Sequence, residues 1–504
     1  MNPDTTALGR VANDPPLDLT QIKIDPSWAL LIPPSLAVRR QIMPLCLLDG
    51  EVWVACRNPS DLSALRVLAR HIPHPLRPVA ATHESLQEVF RKIFGDLESA
   101  MRQNLPATLA TSGTGETEDA ATLCDGILRS ALMRQASDVH VNPASDGLQI
   151  RFRVDGRLED FARHPPALYA PIVNRLKVMS RLDIAEKRAP QDGGFRFQPS
   201  GDFSPVDIRT ASLPSRHGER LTLRLLSSDS SRFSLDSLGF SPDQRDIFTR
   251  ALDYPHGMLL VTGPTGSGKS TSLYSGIRHL LASRDLNIIT IEDPVEYEMA
   301  GVIQSEVERK GEKLSFASAL RSVLRHDPDV IMLGEIRDAE TASLAIKASL
   351  TGHLVLSTLH TNTAAGAVTR LVDLGIDPFL VSAVLRLTAS QRLVRRLCPR
   401  CHVPRPLTRE EAQLLGCPEK EGTTVYEPGG CLHCAGRGFI GRIGLFELLP
   451  VGEQLSRLIA AGGASETALE RACGNYRSLI EDARRKIFAG ESTVKEVLST
   501  IVIH

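Results

Sequence analysis

The stretch that most limits the folds open to this chain is residues 263–271, Gly-Pro-Thr-Gly-Ser-Gly-Lys-Ser-Thr. Gly263 is followed by four residues and then by Gly268, Lys269 and Ser270, the spacing of a P-loop. Ahead of it, residues 258–262 (Met-Leu-Leu-Val-Thr) read as a buried strand, and residues 271–282 behind it carry a helical pattern. Glycines at 263, 266 and 268 allow φ values closed to other residues. Backbone N–H groups can then converge on phosphate oxygens, with a helix N-terminus behind them. In this reading Gly263, Pro264, Thr265, Gly266, Ser267, Gly268, Lys269, Ser270 and Thr271 hold a nucleotide. Lys269 reaches the β- and γ-phosphates of ATP and Ser270 ligates Mg²⁺. The bland alternative is a Gly-rich turn in an unrelated α/β domain.

Three further strand patterns follow, each ending in polar residues. Residues 286–291 run into Glu292, Asp293 and Glu296; residues 329–333 run into Gly334 and Glu335; residues 354–358 run into His360 and Asn362. Strand alternating with helix predicts a parallel sheet wrapped by helices, with ligands at the C-terminal ends of the strands. Glu335 is the candidate to polarise an attacking water. Gly334 stands in the slot where many related sheets carry a metal-linked Asp, so metal charge is assigned to water, Glu292 or Asp293. Glu292 and His360 join Glu335 and Lys269 as catalytic candidates. Against this, the carboxylates at 292, 293 and 296 can cap a following helix, and a lone His at a strand end is usually structural.

Upstream, the Leu48-Asp-Gly-Glu51 turn predicts a hairpin, and residues 61–69 and 84–94 have helical spacing. Residues 96–120 are small and polar, a linker pattern. A second domain opens with a helix at 123–134, followed by strands at 138–141, 147–154, 206–211 and 221–226, with a tight turn at Asp155-Gly156. The expected division is 1–95 for an N-terminal docking domain (1–17 flexible) and 96–120 for a linker. It continues with 121–230 for the second domain, 231–239 for a connector, 240–396 for the P-loop domain, 397–442 for a cysteine-bearing subdomain and 443–504 for a helical tail.

Four of the nine cysteines form two CxxC pairs, Cys398/Cys401 and Cys431/Cys434. Two thiolate pairs at this spacing close a tetrahedral Zn²⁺ site. Cys398-Pro-Arg-Cys401-His402 also satisfies a covalent haem pattern, which needs export, and a redox CxxC is the other competitor. No signal-peptide pattern opens the chain and no apolar run approaches the ~20 residues that span a bilayer. The expectation is a cytoplasmic protein that meets a membrane only through partners. A net charge of −1 gives no global pull toward nucleic acid, and none is expected as a partner.

Taken together, the motifs resemble those of the type II/type IV secretion ATPase superfamily. Gly263–Thr271 is similar to its Walker A, Ile-Glu-Asp-Pro-Val-Glu-Tyr (291–297) to its Asp box, Leu-Gly-Glu-Ile-Arg-Asp (333–338) to its Walker B and Thr-Gly-His-Leu-Val-Leu-Ser-Thr-Leu-His (351–360) to its His box. Ser-Asp-Val-His-Val (137–141), Arg-Phe-Arg-Val-Asp-Gly (151–156) and Leu-Pro-Ser-Arg-His-Gly-Glu-Arg-Leu (213–221) extend the likeness over about 121–450. Asn142 and Gly194 depart from it, where the family often has Glu and Arg.

The resemblance implies a RecA-like α/β ATPase domain preceded by a PAS-like α/β domain, assembled as a hexamer. It further implies that Arg209, Arg224, Arg321 and Arg325 link the nucleotide to the ring interface; ordinary surface ion pairs are the alternative. The tetracysteine element resembles that of type II secretion and pilus-assembly ATPases, and argues for an assembly motor. The leading expectation is a type II secretion ATPase that hydrolyses ATP to drive pseudopilus assembly. Its N-terminal domain would bind the cytoplasmic part of an inner-membrane platform protein. A type IV pilus assembly ATPase is the runner-up, with a conjugation-type nucleic-acid motor and a non-hydrolysing nucleotide scaffold behind it.

Overall fold

A computed structural model of the chain describes residues 16–94, 120–199, 204–226, 233–307 and 314–501. The expectations of a flexible leader and of a linker fall almost wholly on 1–15 and 95–119, outside the described residues. The chain divides into two compact units. One holds residues 1–228 with 397–403 and 428–440; the other holds 229–396, 404–427 and 441–504.

The first unit contains two sheets. β1 (Ile42–Leu48) and β2 (Glu51–Cys56) are antiparallel, and β3 (Leu76–Ala80) runs parallel to β2. Asp49 and Gly50 join the first two with φ of 49° and 81°, the pair of positive values that a two-residue hairpin of this twist requires. The helix His83–Phe94 buries Leu86, Val89, Phe90 and Ile93, a helical stripe that closes this small core.

The larger sheet comprises β4 (Ala136–Ala144), β5 (Gly147–Val154), β6 (Arg157–His164), β7 (Gln191–Phe197), β8 (Val206–Ser215) and β9 (Gly218–Leu226), in the order β6-β5-β4-β9-β8-β7. Alternate residues such as Ile150, Phe152, Leu221 and Leu223 point to one face, where the helices Ala120–Met133 and Tyr169–Met179 cover them. Sequence reasoning missed β6 and β7, and the order shows why: they are the two edges. An edge strand buries less of either face, and β7 carries Gly193-Gly194, so neither shows clean alternation. A Cβ at position 194 would lie 2.8 Å from the Ile208 carbonyl oxygen, which accounts locally for glycine there.

The second unit is built on a seven-stranded sheet. Its strands are β10 (Gly257–Thr262), β11 (Ile288–Glu292), β12 (Ile303–Glu306), β13 (Val330–Leu333), β14 (Leu354–Leu359) and β15 (Leu385–Leu397). After the short pair β16 (Val403–Pro406) and β17 (Thr424–Glu427), the seventh is β18 (Phe439–Pro450). The order is β12-β11-β13-β14-β10-β15-β18, and β12, β11, β13, β14, β10 and β15 are joined by parallel pairings.

Strands β10, β11, β13 and β14 are buried along their whole length. Successive residues serve opposite cores: Leu260, Ile291, Ile331 and Val355 face one, while Leu259, Ile288, Val330 and Leu356 face the other. That is why these strands read as unbroken apolar runs.

At the end of the chain, the helix Leu479–Phe488 buries Lys486 against Asp482 (3.0 Å), and Asp482 also accepts from the Phe446 N–H at 2.9 Å. The helical tail is thereby fastened to β18. Residues 404–427 do not form one body with the cysteine pairs. Leu407, Ala412, Leu415 and Val425 pack with Ala483 and Ile487 of the tail, because their apolar faces find partners there. Among the described residues, no helix is long and apolar enough to cross a membrane.

Candidate active site and metal centre

The phosphate loop turns directly from β10 into the helix Lys269–Ser283. Gly263 has φ of 141°, and a Cβ there would sit 2.5 Å from the Gln391 carbonyl oxygen and 2.7 Å from Ser267 Oγ. Gly268 has φ of 88° and stands one residue ahead of the helix. Both positions exclude a side chain by space as well as by conformation. Pro264, Thr265 and Gly266 are exposed, Ser267 is buried, and Ser270 and Thr271 open the helix half-buried. The 15-residue helix directs its N-terminal N–H groups at this loop, the arrangement that favours phosphate. Lys269 Nζ donates to the carbonyls of Gly263 (2.9 Å) and Pro264 (3.2 Å), so its ammonium lies over the loop. Burial pushes Lys269 below its ordinary range, and Glu335 partly offsets this.

Glu335 follows the end of β13, the neighbour of β14, from which His360 follows. His360 Nε2 lies 3.2 Å from Glu335 Oε2. Arg337 contacts the other carboxylate oxygen and reaches to 3.9 Å from Asp293. Burial alone would raise the Glu335 carboxyl; hydrogen bonding to Arg337 and then to His360 outweighs it and holds the group below its ordinary 4.5. The base form is therefore present throughout neutral pH. Arg337 falls within residues 333–338, but its place in the sequence alone does not reveal this contact.

A pH profile checks the arrangement. Wild-type kcat/KM should stay level on the acid side down to below pH 4.5, because the base form must be lost before the limb falls. Replacing Arg337 with Ala removes the main lowering influence, so the acid limb should move to higher pH. An unmoved limb would separate Glu335 from the essential base.

Glu292 occupies a different setting. It is 4% exposed; Oε1 accepts from Thr290 Oγ1 (2.6 Å) and Gln304 Nε2 (3.2 Å), and Oε2 accepts from Tyr274 Oη. Both oxygens are thus engaged inside the sheet, a holding arrangement for the end of β11. Gly334 is not constrained in this way: a Cβ there would meet Ile291 O at 3.4 Å, an ordinary van der Waals contact.

Of the four arginines, Arg209 on β8 lies directly opposite Arg224 on β9, so both side chains leave the same face of the sheet. Arg224 Nε pairs with Asp138 at 3.1 Å. Arg321 pairs with Glu340, and Arg325 donates to the Arg321 carbonyl at 3.0 Å.

The four cysteines converge in the first unit. All their Sγ atoms lie within 4.8 Å of one another. Cys398–Cys431, Cys401–Cys434 and Cys431–Cys434 are each 3.8 Å apart. A tetrahedron with Zn–S bonds of about 2.3 Å has edges of about 3.8 Å, so the donor set and its spacing fit zinc. Burial opposes ionising Cys434, but the N–H groups of Cys431 (3.4 Å) and Gly438 (3.1 Å) aim at its sulfur and hold the thiol below its ordinary value. The convergence engages both pairs in one site, which sets aside the haem and redox readings. Cys46, Cys56, Cys124, Cys417 and Cys473 are not members of this cluster.

The fold and the loop together define a P-loop nucleotide hydrolase with a four-cysteine metal-binding cluster. The Type II/IV secretion system protein family matches residues 115–499, and the MshEN domain matches residues 13–100. Type II secretion system protein E of Pseudomonas aeruginosa is 41% identical over 483 residues, covering 93% of this chain and 95% of that protein. The type IV pilus assembly ATPase PilB of Myxococcus xanthus is 38% identical over 512 residues, 98% of this chain and 90% of its own length. In fold, the chain is similar to the ATPase DotB of Legionella pneumophila (TM-score 0.56, 22% identity, 77% of this chain and 97% of that one). The chain belongs to the type II/IV secretion system family, and within it is an ATP-hydrolysing enzyme of the type II secretion class.

Proposed function

We propose that this enzyme hydrolyses ATP in the cytoplasm to drive pseudopilus assembly and protein export by a type II secretion system. The observation that carries the reading is the gathering of Glu335, Arg337 and His360 at the ends of neighbouring strands in the sheet that carries Lys269 and its loop. The loop amides and Lys269 hold the phosphates, and Ser270 holds Mg²⁺, which neutralises phosphate charge when bound. Glu335 orients water for attack on the γ-phosphoryl group. His360 and Arg337 fix the direction of that carboxylate.

Arg209, Arg224, Arg321 and Arg325 serve the nucleotide in an assembled hexamer. The Arg321–Glu340 pair does not stand in the way, since an exposed pair is worth about 0–1 kcal/mol and exchanges readily. Zinc closes the four-cysteine cluster. The N-terminal domain binds the cytoplasmic part of an inner-membrane platform protein, and the chain meets the membrane only there.

A strain lacking the gene tests the proposal. The wild-type chain should restore protein export and Lys269→Ala should not. Restoration of surface pili without export would replace this reading with the pilus-assembly one. In the purified protein, specific activity should rise with concentration as rings form; full activity in a strict monomer would contradict the hexamer.

A further inference from the structure

Strand β15 carries no motif that sequence reasoning singled out, yet it touches both loops of the active site. Its residue Gln391 is buried beneath the phosphate loop. Gln391 Oε1 accepts from Ser272 Oγ at 2.8 Å, and its Nε2 lies 2.8 Å from where a Cβ on Gly268 would be. The next residue, Arg392, turns to the other loop. Its Nη2 donates to Asn362 O (3.2 Å) and Asn362 Oδ1 (3.3 Å), and its Nη1 donates to Gln391 O (2.9 Å). Nη1 also lies 3.1 Å from the Cβ position of Gly263.

Residues at period two along β15 act on the same segment. Ser390 Oγ donates to Asn362 O at 2.9 Å, and Thr388 Oγ1 donates to Ala364 O at 2.8 Å. Among the described residues Arg392 forms no close ion pair, and the buried Glu447 carboxylate acts on it only from farther off. A half-buried guanidinium bonded to neutral oxygens is an unusual choice for structure alone, since a hydroxyl or amide could hold a carbonyl without the desolvation cost.

We propose that Arg392 is a positioning residue for ATP hydrolysis: through Asn362 it fixes the turn that places His360 against Glu335, and it registers that turn on the phosphate loop. The inference rests on reading Glu335 and His360 as the hydrolytic side of the site. Arg392 touches neither of them; it acts through two residues of backbone, and a displacement of about 1 Å at a reacting group can cost about 10²-fold in rate.

The test is steady-state ATP hydrolysis by the assembled protein carrying Arg392→Gln, Arg392→Lys, Asn362→Ala, the Arg392→Gln/Asn362→Ala pair, or His360→Ala. Arg392→Gln should lower kcat by about tenfold or more while KM for ATP stays within about twofold. Arg392→Lys should recover only part of the loss, because an ammonium cannot reproduce the fork. The double variant should be no slower than the worse single one, as expected for two members of one contact. A kcat within twofold of wild type in Arg392→Gln, a change confined to KM, or losses that multiply would each overturn the proposal. Should Arg392→Gln fail to fold, Arg392→Lys decides: a kcat within twofold of wild type would overturn the proposal, since the fork is lost while the charge is kept. If His360→Ala leaves kcat intact, the hydrolytic reading itself fails. If it lowers kcat while Arg392→Gln and Asn362→Ala do not, only the positioning role is lost.

Discussion

Glu335→Gln lowers kcat for ATP hydrolysis by about 10²–10³-fold while nucleotide affinity changes little. The size follows from what the substitution removes: positioned general-base action is worth about 10²–10⁴-fold. Gln keeps the shape and can still accept from His360 or Arg337, so the local packing survives. It loses the charge that aligns a water and takes up its proton. Binding is expected to persist because the loop amides, Lys269 and Ser270 belong to other elements. Arg337 loses its closest counter-charge, but it is half exposed and water can solvate it. The check is single-turnover hydrolysis alongside equilibrium binding of ATP. Activity close to wild type would remove Glu335 from the mechanism, and the catalytic role would have to pass to another carboxylate. Inactive protein that had also lost ATP binding would point to damage of the loop instead.

The second large effect concerns the cysteine cluster. Cys434→Ser should reduce bound zinc from about one per chain to a small fraction, and should lower the melting temperature. Cys434 is one of two buried corners, and its sulfur accepts two backbone N–H groups; a serine oxygen there is a poor ligand for a thiolate-selected metal. Loss of a structural metal belongs with the changes that cost about 4 kcal/mol or more. For a domain of about 200 residues that corresponds to a fall of about 10 °C. The effect should reach the N-terminal sheet, because Leu432 packs against its core and His433 Nδ1 lies 3.0 Å from Gln21 O. Cys417→Ser is the matched control: Cys417 packs with Leu407 and Leu415 and is not one of the four clustered thiols, so its loss should leave metal content unchanged. Metal analysis, thiol titration and thermal melts read the outcome. Purified wild type with little metal and four freely titrating thiols in this region would dismiss the zinc assignment.

The loop and the strand-end residues were legible in the sequence because each sits in a fixed place relative to an apolar run. A buried parallel strand announces itself by continuity, and the residue that ends the run falls at the functional edge. That logic located Glu335 and His360, which the structure brings to 3.2 Å. It says nothing about which way a strand-end carboxylate turns. Glu292 has the same credentials in one dimension, yet its oxygens go to Tyr274, Thr290 and Gln304. No spacing rule connects positions 274, 290, 292 and 304. Gln391 and Arg392 were invisible for a related reason: they lie in the middle of a strand, and their roles depend on which strand lies beside β10. Only the sheet order supplies that. The cysteine spacing was read directly, since four thiols in two CxxC pairs have few other uses. The allocation of the intervening residues 404–427 to the other unit was not, because it depends on apolar partners some 70 residues further along.

The Arg321–Glu340 pair has a kinetic consequence. Both side chains are more than half exposed, and an ion pair in that setting stabilises by about 1 kcal/mol at most. Such a contact biases the guanidinium toward Glu340 by no more than about fivefold. Its barrier to separation is that of a side-chain rotamer change, which occurs in about a nanosecond or less. A competing anion therefore meets an arginine that is held near its place but not restrained. In a cycle lasting milliseconds or longer, transfer of that charge from carboxylate to another partner would be effectively instantaneous. It would neither store energy nor set the pace.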